Sequence, residues 1–150
     1  MNKEKIMTLG VNQNNEFRSV SESHQNLKAH IKKLRTEGAT ALGPGLAFSI
    51  GFSGKKSGSQ IILCTDGCAN VGMGTLGYGN DQNESNTFYD ELAEDAKQRN
   101  VTVNVISLQG TDCKLSMLGK VADKTNGTLN IVNPLNLGKW SFIKYTSHSF

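Results

Sequence analysis

The sequence predicts an α/β fold with a mainly parallel sheet in a three-layer arrangement. Three observations carry this. Short β-branched runs alternate with segments of helical period after residue 20. The apolar run at 60–64 is continuous, as in a strand covered on both faces. The connections between strands are long enough to hold helices, as parallel crossovers require.

Residues 1–20 are read as an N-terminal strand and loop remnant, with a short or edge strand at 6–11 and a turn at Asn12 to Asn15. Ser21 or Ser23 is expected to cap a helix over 23–36, in which Leu27, Ile31 and Leu34 recur at helical spacing and Gly38 ends the element. A second helix is expected over 44–53. Pro44 suits its first turn, and its nearly all-round apolar character implies burial. A strand follows at 60–64 and runs straight into Thr65-Asp66-Gly67. The glycine-rich stretch from Asn70 to Asn86 reads as a long functional or disordered loop.

A helix over 87–100 carries Asp90, Glu91, Glu94 and Asp95 early and Lys97 and Arg99 late, matching the macrodipole. A strand over 101–108 leads to a helix over 114–125, capped by Asp112 and presenting Leu115, Leu118, Val121 and Ala122 on one side. A last strand is expected at 128–132, stopped by Pro134, and residues 134–150 form a tail without a firm period.

Composition bounds the function. The chain has 150 residues, 37% hydrophobic and 19% charged, enough for one domain with its own core. A formal net charge of +3, with scattered basic residues, argues against nucleic acid as a partner. Lys28, Lys32, Lys33 and Arg35 read as a solvated helix face. The cysteines Cys64, Cys68 and Cys113 form neither a disulfide framework nor a zinc pattern. They favour a reducing, intracellular and cytoplasmic setting and read as buried or half-buried structural residues. No apolar run approaches the ~20 residues needed to span a bilayer, and the sequons at Asn83, Asn100 and Asn126 are about as many as this composition yields by chance.

Two residues stand out for chemistry. Asp66 follows a buried strand at the sheet end where α/β folds bind ligands. Its carboxylate suits a hard cation, or else caps the next segment. Thr40, in the loop before a buried helix, offers either a neutral oxygen ligand or an ordinary backbone-satisfying hydroxyl. Ser49 to Lys56 mimics a phosphate loop around Gly54-Lys55, but it lies between a helix and a strand, the reverse of the required context. No histidine is placed to activate a cysteine, so no enzymatic turnover is expected.

Gly38-Ala39-Thr40-Ala41-Leu42-Gly43-Pro44-Gly45-Leu46 and Ile61-Ile62-Leu63-Cys64-Thr65-Asp66-Gly67-Cys68-Ala69-Asn70-Val71-Gly72 together resemble the second and third metal loops of a von Willebrand factor type A domain. The wording is most similar to the subgroup found beside circularly permuted Ras-like domains, with the trunk of the COPII coat a more distant relative. Leu118 to Leu129 resembles that family's closing helix and strand. The resemblance covers about residues 20–133 and implies a partial domain of Rossmann-like type. It also implies a protein-interaction role, with Thr40 and Asp66 as ligands of a Mg²⁺ site that a partner's acidic side chain completes. The family's Asp-x-Ser-x-Ser loop and first central strand are missing from this sequence. Ser19-Val20-Ser21-Glu22-Ser23 keeps only the serine spacing. The expectation is therefore Mg²⁺ binding that is weak or absent in this chain, and an exposed edge beside 60–64. Alternatives are a non-functional fragment and, ranked last, a cysteine- or nucleotide-dependent enzyme.

Overall fold

The computed structural model describes residues 2–14, 18–35, 38–66, 69–75, 82–108, 115–133, 135 and 143–145. Its elements run α1 (Lys3–Val11), α2 (Val20–Lys33), α3 (Leu42–Ser53), β1 (Gln60–Thr65), α4 (Gln82–Gln98), β2 (Thr102–Leu108), α5 (Leu115–Lys124), β3 (Leu129–Val132) and β4 (Ile143–Tyr145). The architecture is the expected three-layer α/β sandwich, a small and mainly parallel sheet flanked by helices. The strand order is β1-β2-β3-β4. The first two pairings are parallel and the last is antiparallel.

The sheet register explains which side chains face the helices. Ile61, Leu63 and Thr65 of β1 align with Val103, Val105 and Ser107 of β2. The β2 residues of that set are fully buried under the helices. The intervening positions, Ile62 and Cys64, align with Asn104 and Ile106 on the opposite face. Leu46, Ala47 and Ile50 of α3, Tyr89, Leu92 and Ala96 of α4, and Leu118 and Val121 of α5 complete the core.

Both α4 and α5 end on an asparagine in the left-handed region, Asn100 (φ 54°) and Asn126 (φ 57°). Asparagine tolerates that conformation through its short polar side chain. In each case the next amide closes the helix, Val101 N–H to the Ala96 carbonyl at 2.9 Å and Gly127 N–H to the Ala122 carbonyl at 2.8 Å. Gly127 itself is needed for a different reason: a Cβ there would collide with the Val103 backbone. The Thr125 hydroxyl accepts the Val103 N–H at 3.0 Å and donates to the Val121 carbonyl at 2.8 Å, tying α5 to β2.

Several local expectations change. Residues 6–11 are not a strand. They belong to α1, where Ile6, Met7 and Gly10 are buried. The apolar residues sit at helical spacing, and Gly10 and Gly51 let the α1 and α3 backbones approach closely. A Cβ on either would strike the other helix's backbone, at Phe48 or Met7. The cap of α2 is Ser19 rather than Ser21 or Ser23. It forms a capping box with Glu22, which adds two satisfied amides that the later serines could not supply. α2 then stops at Lys33, short of Gly38. α3 begins at Leu42, so Pro44 stands within its first turn. Cys64 is exposed, against expectation, because β1 lies at the edge of the sheet. β4 had no signal in the sequence. The expected cap Asp112, together with Cys68, Cys113 and Pro134, lies outside the described residues.

Candidate functional site

The site sits where β1 leaves the sheet. Thr65, buried at 9% exposure, is its last strand residue, and Asp66 is the first residue exposed beyond it. Thr40 reaches the same place from the other direction, two residues before α3 begins. Thr40 and Asp66 both line one cleft of about 380 Å³, together with Leu42, Gly45, Leu46 and Ser49 of the α3 segment and residues 61–65 of β1. Consecutive residues of a strand point to opposite faces. A cleft lined by all of them therefore follows the free edge of β1 and not one face of the sheet.

Asn70 holds the Thr40 loop in position. Its side-chain oxygen accepts the Thr40 N–H at 2.7 Å. Its own N–H donates to the Thr40 carbonyl at 3.0 Å, and Val71 N–H adds a contact to that carbonyl at 3.4 Å. An amide side chain that mimics a backbone partner suits such a loop-to-loop clasp. By pattern alone Asn70 is only one residue of the segment 61–72, with no role of its own. An Asx residue four positions beyond a strand-end Asp was the available signal. The following turn is fastened as well: the Tyr89 hydroxyl donates to the Gly74 carbonyl at 3.0 Å and the Ser85 hydroxyl to the Thr75 carbonyl at 2.8 Å.

At the start of α3, Ala41 stands at the N-cap without a side-chain cap bond. The helix therefore presents its partial positive end beside Thr40. The exposed Asp66 carboxylate brings the opposite charge to the same cleft. The arrangement offers a hydroxyl, a carboxylate and a helix amino end, a set that suits a cation together with an anionic group.

The rejected motifs stay rejected for structural reasons. Ser49 to Ser53 is helical, and Gly54 closes α3 in a right-handed conformation (φ −66°). Lys55 donates to the Gln13 carbonyl and lies 5.1 Å from the Phe52 ring centre. No phosphate cradle forms there. His24 and His30 are exposed on α2, each ring nitrogen placed on a carbonyl of its own helix.

A second polar region lies on the far side of α4. Lys3 of α1 contacts Glu91 and Asp95, each at 2.9 Å, and Lys124 of α5 contacts Asp90 and Glu94 at 3.1 and 3.4 Å. Burial works to lower the pKa of Lys3, but the combined hydrogen bonds and charges of Asp95 and Glu91 outweigh it and hold the ammonium above its usual range. The hydrogen bond to Asp90 leads the rise at Lys124.

No family model matches the chain. It is similar to Circularly permutated Ras protein 1 of Dictyostelium discoideum, 36% identical over 121 residues. The match covers 81% of this chain and 14% of that protein. Two expectations fall with this finding. A role as an adhesion-type interaction module is overturned: the relative is a Ras protein, and the described residues contain no group of three or more His, Cys, Asp or Glu side chains that could hold a metal. The physical reason is that, among the described residues, Asp66 is the one carboxylate lining the cleft. The outright exclusion of enzymatic turnover also falls, since the relative carries the Ras name. Among the described residues no helix is long and apolar enough to cross a membrane. The chain is a small Rossmann-like α/β unit related, over part of its length, to a circularly permuted Ras-like protein.

Proposed function

We propose that this chain works within a guanine-nucleotide-dependent protein of Ras-like kind, with the β1 end contributing to a Mg²⁺-phosphate site. The observation that carries the reading is the 36% identity over 121 residues to a protein of that name. Nucleotide-bound Mg²⁺ in such proteins is held by the Ser or Thr hydroxyl of the phosphate-cradling loop and by an Asp carboxylate from another segment. Thr40 and Asp66 are the right chemical pair for the metal half, and both line the cleft beside the open end of α3. The phosphate cradle is not supplied by Gly54-Lys55, which the structure uses to end a helix.

Mg²⁺ alone is held weakly on this reading, because two protein ligands leave most of an octahedron to water. Phosphate oxygens then complete the coordination, in place of the acidic partner side chain that the sequence resemblance implied. The finer relation, descent from the von Willebrand factor type A subgroup found beside circularly permuted Ras-like domains, is supported by residues 38–46 and 61–72 and carries no adhesion role with it.

Titration with a fluorescent GTP analogue tests the proposal. Binding is expected in the roughly millimolar range. It should depend on Mg²⁺ and weaken at least about tenfold, roughly 1.4 kcal/mol, in Asp66→Ala and in Thr40→Val. No binding at about ten times that concentration sinks the idea. So does binding that is indifferent to Mg²⁺ and to Asp66.

A further inference from the structure

β1 has the composition of an interior strand and the position of an edge strand. Its six residues, Gln60–Thr65, carry no charge, no proline and no glycine. Among the described residues its one strand neighbour is β2. Natural edge strands are kept from pairing by short length, charged side chains, proline or bulges, and β1 shows none of these. The opposite edge differs: β4 is only three residues long. Apolar surface is also uncovered around β1. Ile62, on the face opposite Ile61 and Leu63, is 66% exposed, with exposed Cys64 beside it. Leu42 and Leu46, themselves buried, form part of the wall of the cleft that runs along the strand.

We infer that β1 pairs, antiparallel, with β1 of a second copy about a two-fold axis, joining the two four-stranded sheets into one. Three features favour a second copy. The edge is neutral, so self-pairing sets no like charges opposite one another, the arrangement that otherwise penalises identical strands. The side-chain alternation is self-compatible. A two-fold axis normal to the sheet preserves its faces, so cross-strand partners must share a face. Centring on Ile62 sets it against Ile62 of the partner subunit, Ile61 against Leu63 of the partner subunit and Gln60 against Cys64 of the partner subunit. Apolar side chains from the second copy then enter the cleft beside Leu42 and Leu46. Finally, among the described residues one open edge and one short edge per subunit close the assembly at two, as an isologous contact does.

A single strand pair with its flanking residues is a small interface, so the dissociation constant is expected in the roughly micromolar range. Sedimentation equilibrium of the whole chain should show concentration-dependent dimers. Ile62→Lys places a charge opposite itself and should give a monomer with an unchanged circular-dichroism melt, since Ile62 is largely exposed. Gln60→Cys should yield a covalent dimer on mild oxidation, through the partner's Cys64, because paired strand Cα atoms lie about 4.5–5.5 Å apart, inside the disulfide range. That dimer should vanish in Gln60→Cys/Cys64→Ser. A chain that stays monomeric up to about a hundred times the micromolar range overturns the inference. So does an Ile62→Lys variant that associates like the parent, or a crosslink that survives the Cys64 change. Nucleotide binding is not read in any of these measurements, so the two proposals fail separately.

Discussion

Asn70 does more at the β1 end than its place in a loop suggests. It accepts one hydrogen bond and donates another across a sequence distance of thirty residues, fixing where Thr40 meets the cleft. The acceptor is a single side-chain oxygen, which asparagine and aspartate share. Asn70→Leu removes it and leaves the Thr40 N–H to solvent. We expect a loss of about 1 kcal/mol in urea unfolding, with Asn70→Asp losing clearly less. Equal losses for the two variants would mean that the side chain matters only for its bulk. Asp66 has a simpler local logic. β1 is apolar up to Cys64, Thr65 is the last buried residue, and the carboxylate follows as soon as the chain reaches the surface.

At the level of elements, α2 stands apart. It has a good start, a capping box at Ser19 and Glu22, and basic residues in its last turn. It buries none of its residues, and Val20, Leu27 and Ile31 are 47% to 72% exposed. A fourteen-residue helix without a buried face depends on its own propensity, which is marginal in water. The core helix α4, with Tyr89, Leu92, Ala93 and Ala96 buried, is the internal standard. Hydrogen exchange should therefore find the α2 amides orders of magnitude faster than those of α4, whose opening requires loss of the core. Ser19→Ala, a change worth about 1 kcal/mol at an N-cap, should speed α2 exchange without moving the melting temperature. Protection of α2 equal to that of α4 would refute this picture.

For the molecule as a whole, α4 carries the carboxylates of both ion-pair clusters, while α1 packs chiefly on α3. Lys3 brings in α1 and Lys124 brings in α5, each through two carboxylates of α4. The Lys3 side chain is only 14% exposed, so this contact is less screened than an open surface pair. Its folded pKa is raised above the ordinary 10.5. Stabilisation from a raised lysine is therefore fully present below about 10.5 and disappears as pH climbs through the folded value. Urea midpoints followed from about pH 8 to pH 12 should fall at the alkaline end. They should fall less steeply in Lys3→Gln, which has no proton to lose. Parallel curves for the two proteins would exclude the Lys3 contact as a source of the decline. Lys124 titrates in the same direction, but it is open to solvent and adds little.

Much of the fold was legible in the order of residues because it depends on local pattern. The β-branched residues of β2 and the Leu118–Val121–Ala122 stripe of α5 state their element and its buried side, while the run at 60–64 and the charge gradient along α4 state the element alone, since Ile62 and Cys64 prove exposed where cover on both faces was expected. The pairing of Thr40 with Asp66 was an expectation from sequence, and the residue that links their loops, Asn70, was not, because a clasp between loops has no periodicity. α1 was misread for a related reason. Six residues with four apolar side chains suit a strand or a helix equally, and the choice is made by the close contact of Gly10 and Gly51 with the facing helix. The same limit applies to β1 and β4. Sequence by itself determined that β1 is apolar enough to be enclosed. The family resemblance already implied an open edge beside 60–64; only the tertiary structure decided the order β1-β2-β3-β4 and the antiparallel pairing of β4, since strand order comes from which neighbours are present to form hydrogen bonds and not from the strand's own side chains.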